Sequence, residues 1–351
     1  MTAVLVTGAS GLLGSAVARA LVARGSDVRT LQRRPSGVAG AADVLGSVTD
    51  ADVVARAVAG ADVVVHLAAK VSLAGEPAEF EAVNVGGTRT LLDAAARAGV
   101  RRFVQVSSPS VAHLGTSLVG VPATAADPEH ARGEYARTKA AGELLALGRD
   151  GAGAPGGDGD GVGPRVVAVR PHLVWGPGDT QLVERVVDRA ARGRLPLLGH
   201  GAALIDTLYV DNAADGILAA LDRLGDAPDV VGGRAYVLTN GEPRTVADLL
   251  SGICRAAGVE PPAWRVPAGL ARAAGGLVEA LWRVRPGVDE PPMTRFLAEQ
   301  LSTAHWFDQR ATRRDLRWTP AVGVDEGLRR LAVHYGGTAP AAAEGSGPDE
   351  A

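Results

Sequence analysis

A tyrosine and a lysine four residues apart on one helix can move a proton to or from a carbonyl oxygen. Tyr135 and Lys139 stand that way in Glu134-Tyr135-Ala136-Arg137-Thr138-Lys139. The segment predicts a helix through Leu147, which puts both side chains on one face, a turn apart. A free phenol titrates at about 10, too high for ready exchange near neutrality. An ammonium one turn away stabilises the phenolate and lowers that value. Lysine occurs only at Lys70 and Lys139, so composition does not explain the spacing, and an ordinary exposed helix face is the weaker reading. A third group must hold the oxygen beside the phenol. Ser107, Ser108 and Ser110 follow a predicted strand, Arg102–Val106, and each is a candidate. None sits in a Gly-x-Ser-x-Gly elbow, so a serine nucleophile is not indicated. His66, inside the apolar run from Val63 to Ala69, reads as a packed core residue, and Cys/His metal spacing is absent.

The elements that must carry these residues begin with Thr7-Gly8-Ala9-Ser10-Gly11-Leu12-Leu13-Gly14. An apolar strand, Ala3 to Val6, precedes it, and Ser15 to Ala23 follows at helical spacing. Strand, glycine turn and helix in that order make a dinucleotide site: Gly8 for the tight turn, Gly11 for approach to a pyrophosphate, Gly14 for close helix packing. A second strand, Asp27 to Leu31, ends in Gln32-Arg33-Arg34. An acidic residue there would bond both ribose hydroxyls and select NAD, whereas an arginine accommodates a 2′-phosphate. Gln32 occupies the acidic position, so NADP(H) is expected through Arg33, with NAD(H) as the alternative. A nicotinamide's positive charge would add to that of Lys139 in stabilising the phenolate, and lysine's compact, rotatable donor suits ribose hydroxyls better than arginine's planar fork.

Further along, Phe80 to Ala98 predicts a long helix on which Asn84 has no catalytic role, and Val166 to Arg170 a buried strand ended by Pro171. Alternating strand and helix imply an α/β fold: a Rossmann-type, doubly wound parallel sheet with a smaller C-terminal substrate-binding region. Residues 1–171 form mainly the dinucleotide-binding part, interrupted by a glycine-rich, mobile surface insertion over 149–164. Residues 172–335 form mainly the substrate region, interleaved with the Rossmann core, and 336–351 read as a disordered tail. Expected helices there are Gln181–Arg192, Asn212–Leu221, Thr245–Ala257, Arg310–Leu316 and Val324–His334, with strands at Asp206–Val210 and Ala235–Thr239. Leu270 to Val284 reads as an amphipathic helix over something apolar, or as ordinary core packing.

With 36 Lys+Arg against 39 Asp+Glu, the formal charge of −3 gives no electrostatic case for nucleic acid. A single cysteine, Cys254, rules out an internal disulfide framework. No apolar stretch reaches membrane-spanning length and no secretory signal is read, so the cytoplasm is the expected location.

Together TGASGLLG, Ser108 and Tyr135-x-x-x-Lys139 resemble the extended short-chain dehydrogenase/reductase family over roughly Val4 to Leu331. In that family's Ser-Ser-x-x-Val pattern, counted back from Val111, the serine falls on Ser108, with Ser107 as the alternative. The resemblance implies Ser108, Tyr135 and Lys139 as catalytic residues. It implies Gly8, Ser10, Gly11, Leu12, Leu13, Gly14, Arg33, Tyr135, Lys139 and Pro171 as cofactor-binding residues. Arg170 to Asp179 and Thr239-Asn240-Gly241-Glu242-Pro243 look like the 3β-hydroxysteroid and sterol dehydrogenase branch. Pro291 to Gln300 and His305-Trp306-Phe307 resemble the 2-alkyl-3-oxoalkanoate reductases of bacterial olefin biosynthesis. One departure is Gly46-Ser47-Val48 in place of the usual Gly-Asp-Leu near the adenine. The implied activity is NADPH-dependent reduction of the ketone of a hydrophobic 2-alkyl-3-oxoalkanoic acid. The alternatives are a hydroxysteroid dehydrogenase, a nucleotide-sugar epimerase and a non-catalytic NADP-sensing protein. A homodimer is one implied partner; neighbouring acyl-condensing and β-lactone-forming enzymes are others. Arg295 and His172 are the candidates for meeting a substrate carboxylate.

Overall fold

The computed structural model describes residues 1–72, 75–113, 115–153, 163–267, 269–270 and 303–337. Its strands begin with β1 (Ala3–Thr7), β2 (Asp27–Gln32), β3 (Ala41–Leu45), β4 (Val63–His66) and β5 (Arg102–Val106). They continue with β6 (Leu118–Val121), β7 (Arg165–Pro171), β8 (Val174–Trp175), β9 (Leu197–Leu198) and β10 (Leu204–Ile205). The last are β11 (Leu208–Tyr209), β12 (Ala235–Leu238), β13 (Arg244–Thr245), β14 (Arg265–Val266) and β15 (His305–Phe307). The helices are α1 (Leu12–Ala23), α2 (Ala51–Val58), α3 (Pro77–Phe80), α4 (Thr88–Arg97), α5 (Glu134–Leu147), α6 (Val183–Ala191), α7 (Val210–Asp226), α8 (Pro228–Val231), α9 (Val246–Ala256), α10 (Arg310–Leu316) and α11 (Val324–His334).

Seven strands form one sheet in the order β12-β7-β5-β4-β1-β2-β3, every pair parallel. The order reverses direction between β1 and β4, the switch point at which such sheets bind ligands at their carboxyl ends. Strands β4 and β5 are buried along almost their whole length and are mainly Val and Phe, as a strand covered on both faces must be. Helices α1 and α7 cover one face and α2 and α4 the other, giving two large apolar clusters. Among the described residues no helix is long and apolar enough to cross a membrane.

The helix expected over Phe80–Ala98 is interrupted: Glu81–Gly87 is a π-helical stretch between α3 and α4. Asn84 lies in it, accepting from the Lys70 amide (2.7 Å) and donating to the Thr138 hydroxyl (3.0 Å). Its own carbonyl would stand 2.5 Å from any Cβ at position 142, so Gly142 lets α5 pack flush against this stretch. Several elements were not read from the sequence, among them β3, α2, β6 and β15. Strands β6 and β15 join β10 and β13 in a second, four-stranded sheet, order β13-β10-β15-β6. The strand expected over Asp206–Val210 is displaced: β10 and β11 flank a turn, and α7 already starts at Val210. Of the insertion over 149–164, the described ends meet, with the Gly151 amide donating to the Pro164 carbonyl (2.9 Å). Its middle lies outside the described residues, as do Arg295, the tail from 338 onward and all but the first residue of the helix expected over Leu270–Val284.

Candidate active site

The glycine turn at the end of β1 has the geometry of a phosphate cradle. Gly8 has φ +78, and a Cβ there would lie 2.9 Å from the Ala68 amide nitrogen, so only glycine lets the chain leaving β4 cross over it. A Cβ at Gly14 would fall 2.3 Å from the Gly8 carbonyl oxygen, whereas one at Gly11 meets nothing closer than 3.6 Å. Gly14 is therefore fixed by packing, and Gly11 faces open space. Ser10 and Gly11 are exposed, and Leu12 and Leu13 open α1 with its free N–H groups. These residues fit a dinucleotide pyrophosphate. The Thr7 hydroxyl fixes the turn by accepting from the Leu67 and Ala68 amides (3.1 and 3.0 Å). His66 is packed between the Thr7 and Thr88 hydroxyls, and burial takes its imidazole down to about 3.

At the end of β2, Gln32 is buried and donates to Thr30 and to Asp43 (both 3.0 Å). Asp43, on β3, also accepts from the Thr30 hydroxyl and the Ser36 amide. Burial of its carboxyl works against these bonds, which together hold it below the usual carboxylate range. The nearby carboxylate is thus committed to protein donors, while Arg33 is exposed beside it.

The proton-transfer candidates meet at the ends of β5, β7 and α5. A cavity of about 110 Å3 is lined by Ser108, Ser110, Tyr135, His113, His172 and His305, with Pro109, Leu118, Leu173 and Phe307 as its apolar wall. Ser108, not Ser107, reaches it. The Ser110 hydroxyl lies 2.9 Å from Ser108 Oγ; with Ser110 donating, the Ser108 hydrogen can turn to the Tyr135 phenol oxygen or to a ligand oxygen. The Tyr135 phenol is pushed above the ordinary tyrosine range by burial, with Ser108 pulling the other way. The lowering expected from Lys139 is not seen. That lysine is buried, its Nζ donates to the Val106 carbonyl (2.7 Å), and desolvation, opposed by Glu143, takes it to about 8. Pro171 is buried at the end of β7, paired with Leu238, and sets the turn into His172. Helix α5 is anchored to β7 by Arg170 and Glu143, an ion pair 1% and 0% exposed and joined through Nε (2.9 Å) and Nη2 (2.5 Å).

His113 and His305 were not singled out as site residues. They lie 192 positions apart and meet only through the second sheet, so no spacing in the sequence announces them. Among the described residues no group of three metal-ligating side chains is placed to hold an ion.

A parallel sheet with a glycine-turn cradle beside a tyrosine–serine cavity defines the dinucleotide-dependent oxidoreductases of the Rossmann type. The chain belongs to the NAD dependent epimerase/dehydratase family, the extended short-chain dehydrogenases/reductases, which matches residues 4–236. It is 38% identical over 334 residues to a 2-alkyl-3-oxoalkanoate reductase of Stenotrophomonas maltophilia, covering 93% of this chain and 98% of that one. A 2-alkyl-3-oxoalkanoate reductase of Shewanella oneidensis is 35% identical over 333 residues (93% and 84%). A 3 beta-hydroxysteroid dehydrogenase/Delta 5-->4-isomerase of Mycobacterium tuberculosis is 32% identical over 349 residues (95% and 90%). Among solved structures, a short-chain dehydrogenase/reductase superfamily protein from Agrobacterium tumefaciens with bound NAD superposes with TM-score 0.70 at 24% identity, covering 95% and 96% of the two chains.

Proposed function

We propose that this chain reduces the ketone of a hydrophobic 2-alkyl-3-oxoalkanoic acid to the 3-hydroxy acid, with NADPH as the hydride source. The observation that carries the reading is the placing of Tyr135 and Ser108 on one small cavity at the carboxyl edge of the sheet. The dinucleotide supplies the hydride. Ser108 donates a hydrogen bond to the ketone oxygen, and Tyr135 delivers the proton that this oxygen takes up. The upward shift keeps the resting phenol protonated, so the proton is on Tyr135 when the reductive step begins. Lys139 reaches the ribose hydroxyls from the end of β5. Gly8, Ser10, Gly11, Leu12, Leu13 and Gly14 hold the pyrophosphate, and Pro171 walls the nicotinamide side. Arg33 faces a 2′-phosphate, and the engagement of Asp43 by Gln32 leaves no carboxylate there for the ribose diol. The cavity is small beside the roughly 300–1,000 Å3 that enclose a drug-sized ligand, so it takes the reacting head group and not the alkyl chains.

The test is loss of reduced-nicotinamide absorbance with a synthetic 2-alkyl-3-oxoalkanoic acid, run beside NADH and a 3-ketosteroid. Turnover of the oxo acid with NADPH, abolished in Tyr135→Phe, is the expected result. Turnover of the steroid alone would move the chain to the hydroxysteroid reading, which the similarity to the mycobacterial dehydrogenase supports.

A further inference from the structure

Three histidines, His113, His172 and His305, line the cavity with the reacting groups, and hydrogen bonds leave His172 Nε2 and His305 Nδ1 without a protein partner among the described residues. His172 Nδ1 lies 2.6 Å from the Asp206 carbonyl oxygen. A carbonyl only accepts, so Nδ1 carries the hydrogen and Nε2 presents a lone pair. His305 Nε2 lies 2.9 Å from His113 Nε2 and 3.0 Å from the Thr303 hydroxyl. His305 Nδ1 is buried with no hydrogen-bond partner among the described residues. With His113 donating across their contact, the hydrogen of a neutral His305 sits on that Nδ1. Strand pairing holds both rings: Ile205 of β10 pairs with His305, and the Asp206 amide donates to the His305 carbonyl (2.8 Å). His172 is 5% and His305 1% exposed, and no lysine or arginine is among the described lining residues.

We propose that His172 Nε2 and His305 Nδ1–H together bind the carboxyl group of the 3-oxo acid with one proton, as a unit without net charge. The inference rests on the substrate reading above. In a 3-oxo acid a single carbon separates the ketone carbon from the carboxyl carbon, so both groups share the cavity that Tyr135 and Ser108 line. His305 donates to one carboxyl oxygen; the proton between the other oxygen and His172 Nε2 completes the pair. Burying this neutral unit costs far less than burying a bare carboxylate. Burial also keeps both rings uncharged beforehand, taking His172 to about 4 and His305 to about 3, the latter helped by repulsion from its neighbours.

A chemical consequence follows. A 3-oxo acid loses carbon dioxide when its own acid proton reaches the ketone oxygen through a six-membered ring. The O–H and C1–C2 bonds break, and the enol forms. Holding that proton on His172 and the ketone oxygen on Tyr135 and Ser108 opens the ring, so this cyclic route is closed while the acid is bound.

The titratable groups that line the cavity with the bound carboxyl are His113 beyond the strand β5 turn, Tyr135 on α5, His172 after β7 and His305 on β15; Asp206, after β10, lies behind His172 and meets its Nδ1 through the backbone carbonyl. Burial raises the Asp206 carboxyl to about 6, against hydrogen bonds that include the Gly241 and Glu242 amides. The experiment is calorimetric titration of the product, a 2-alkyl-3-hydroxyalkanoic acid, into the protein with NADP+ near neutral pH, in buffers of different ionisation enthalpy. Uptake of about one proton per acid bound is expected, and none for the matching alcohol without the carboxyl. His172→Gln abolishes the uptake and weakens acid binding by about tenfold or more; the loss on the neutral ketone is several-fold smaller. In turnover, His172→Gln and His305→Gln release a larger share of decarboxylated ketone. Uptake that persists in His172→Gln assigns the proton to Asp206 and overturns the proposal, as does equal loss on acid and ketone. If His172→Gln misfolds, His172→Asn takes its place, and absence of proton uptake in the wild type overturns the proposal without either variant. A wild type that reduces the oxo acid without proton uptake overturns this proposal alone. One that reduces only ketones or steroids overturns the substrate reading and this proposal with it.

Discussion

At the scale of single residues, the site keeps its acid protonated and its lysine poised to lose charge. Tyr135 stays a phenol through burial, so in the reductive direction it starts as the proton donor. Tyr135→Phe is expected to lower kcat by about 10²–10⁴-fold, far more than it raises the Kd for NADPH measured by fluorescence. Lys139 titrates at about 8 in the fold against 10.5 for an ordinary lysine. Between those values the unfolded chain holds more protons than the folded one, so stability attributable to this residue rises with pH across that window. Below about pH 8 the fold carries a buried ammonium at a cost. Urea unfolding of wild type and Lys139→Met across this range should show the wild type gaining on the variant as pH rises; a constant difference would remove the shift assigned to Lys139. Tyr135, Lys139 and the glycines were legible because their chemistry has a fixed spacing along the chain. The direction of the Tyr135 shift was not, because the sequence does not show that Nζ is turned to Val106.

At the scale of elements, two glycines of one motif should answer differently to the same change. Gly14→Ala drives a methyl to 2.3 Å from the Gly8 carbonyl, which overpacks the α1–β1 contact and should cost about 1–3 kcal/mol or more. Gly11→Ala meets only a 3.6 Å contact, and its φ of −94 suits alanine. Its melting temperature should match wild type while NADPH binding fails, because the methyl occupies the approach of the pyrophosphate. Equal melting losses would contradict these separate roles. The Arg170–Glu143 pair ties α5, and hence Tyr135, to β7. Glu143→Ala strands a buried guanidinium and should destabilise by about 3–5 kcal/mol in denaturant titration. Apart from β3, which is mostly exposed over Ala41–Leu45, the sequence pattern predicted the strands of the large sheet, because they are largely apolar runs bounded by turns. It could not show β6 and β15, which are 4 and 3 residues long and owe their form to pairing with each other. The π-helical stretch at Glu81–Gly87 was hidden for a similar reason: its partners are distant, with Gly142 of α5 packed against the Asn84 carbonyl.

At the scale of the whole molecule, the last part of the chain is held to the sheet by a buried amide network. Asn212, on α7, donates to the Val322 carbonyl (2.7 Å) and accepts from the Ala321 and Val322 amides (3.0 and 2.9 Å). It also donates to the side chain of Asn240 (3.0 Å), which in turn donates to the same Val322 carbonyl (2.8 Å) and accepts from the Tyr209 amide (3.1 Å). This gives the Thr239-to-Pro243 motif a physical reason: Asn240 joins the β12 turn to the loop before α11, while the next two amides, of Gly241 and Glu242, hold the Asp206 carboxylate. The network spans 110 positions from Asn212 to Val322, so nothing local could reveal it. Both side chains are buried and use both their donor and their acceptor, and such networks are costly to leave half made. Asn212→Leu leaves the Ala321 and Val322 amides without their acceptor, while the Val322 carbonyl and Asn240 Oδ1 each lose one of two bonds. Each unsatisfied buried group costs about 1–3 kcal/mol, so the summed loss should be several kcal/mol, read as a lower unfolding midpoint. The reacting groups lie elsewhere, so NADPH affinity well below that midpoint should hold. A variant as stable as wild type would mean that the closing helices are held by their apolar faces alone.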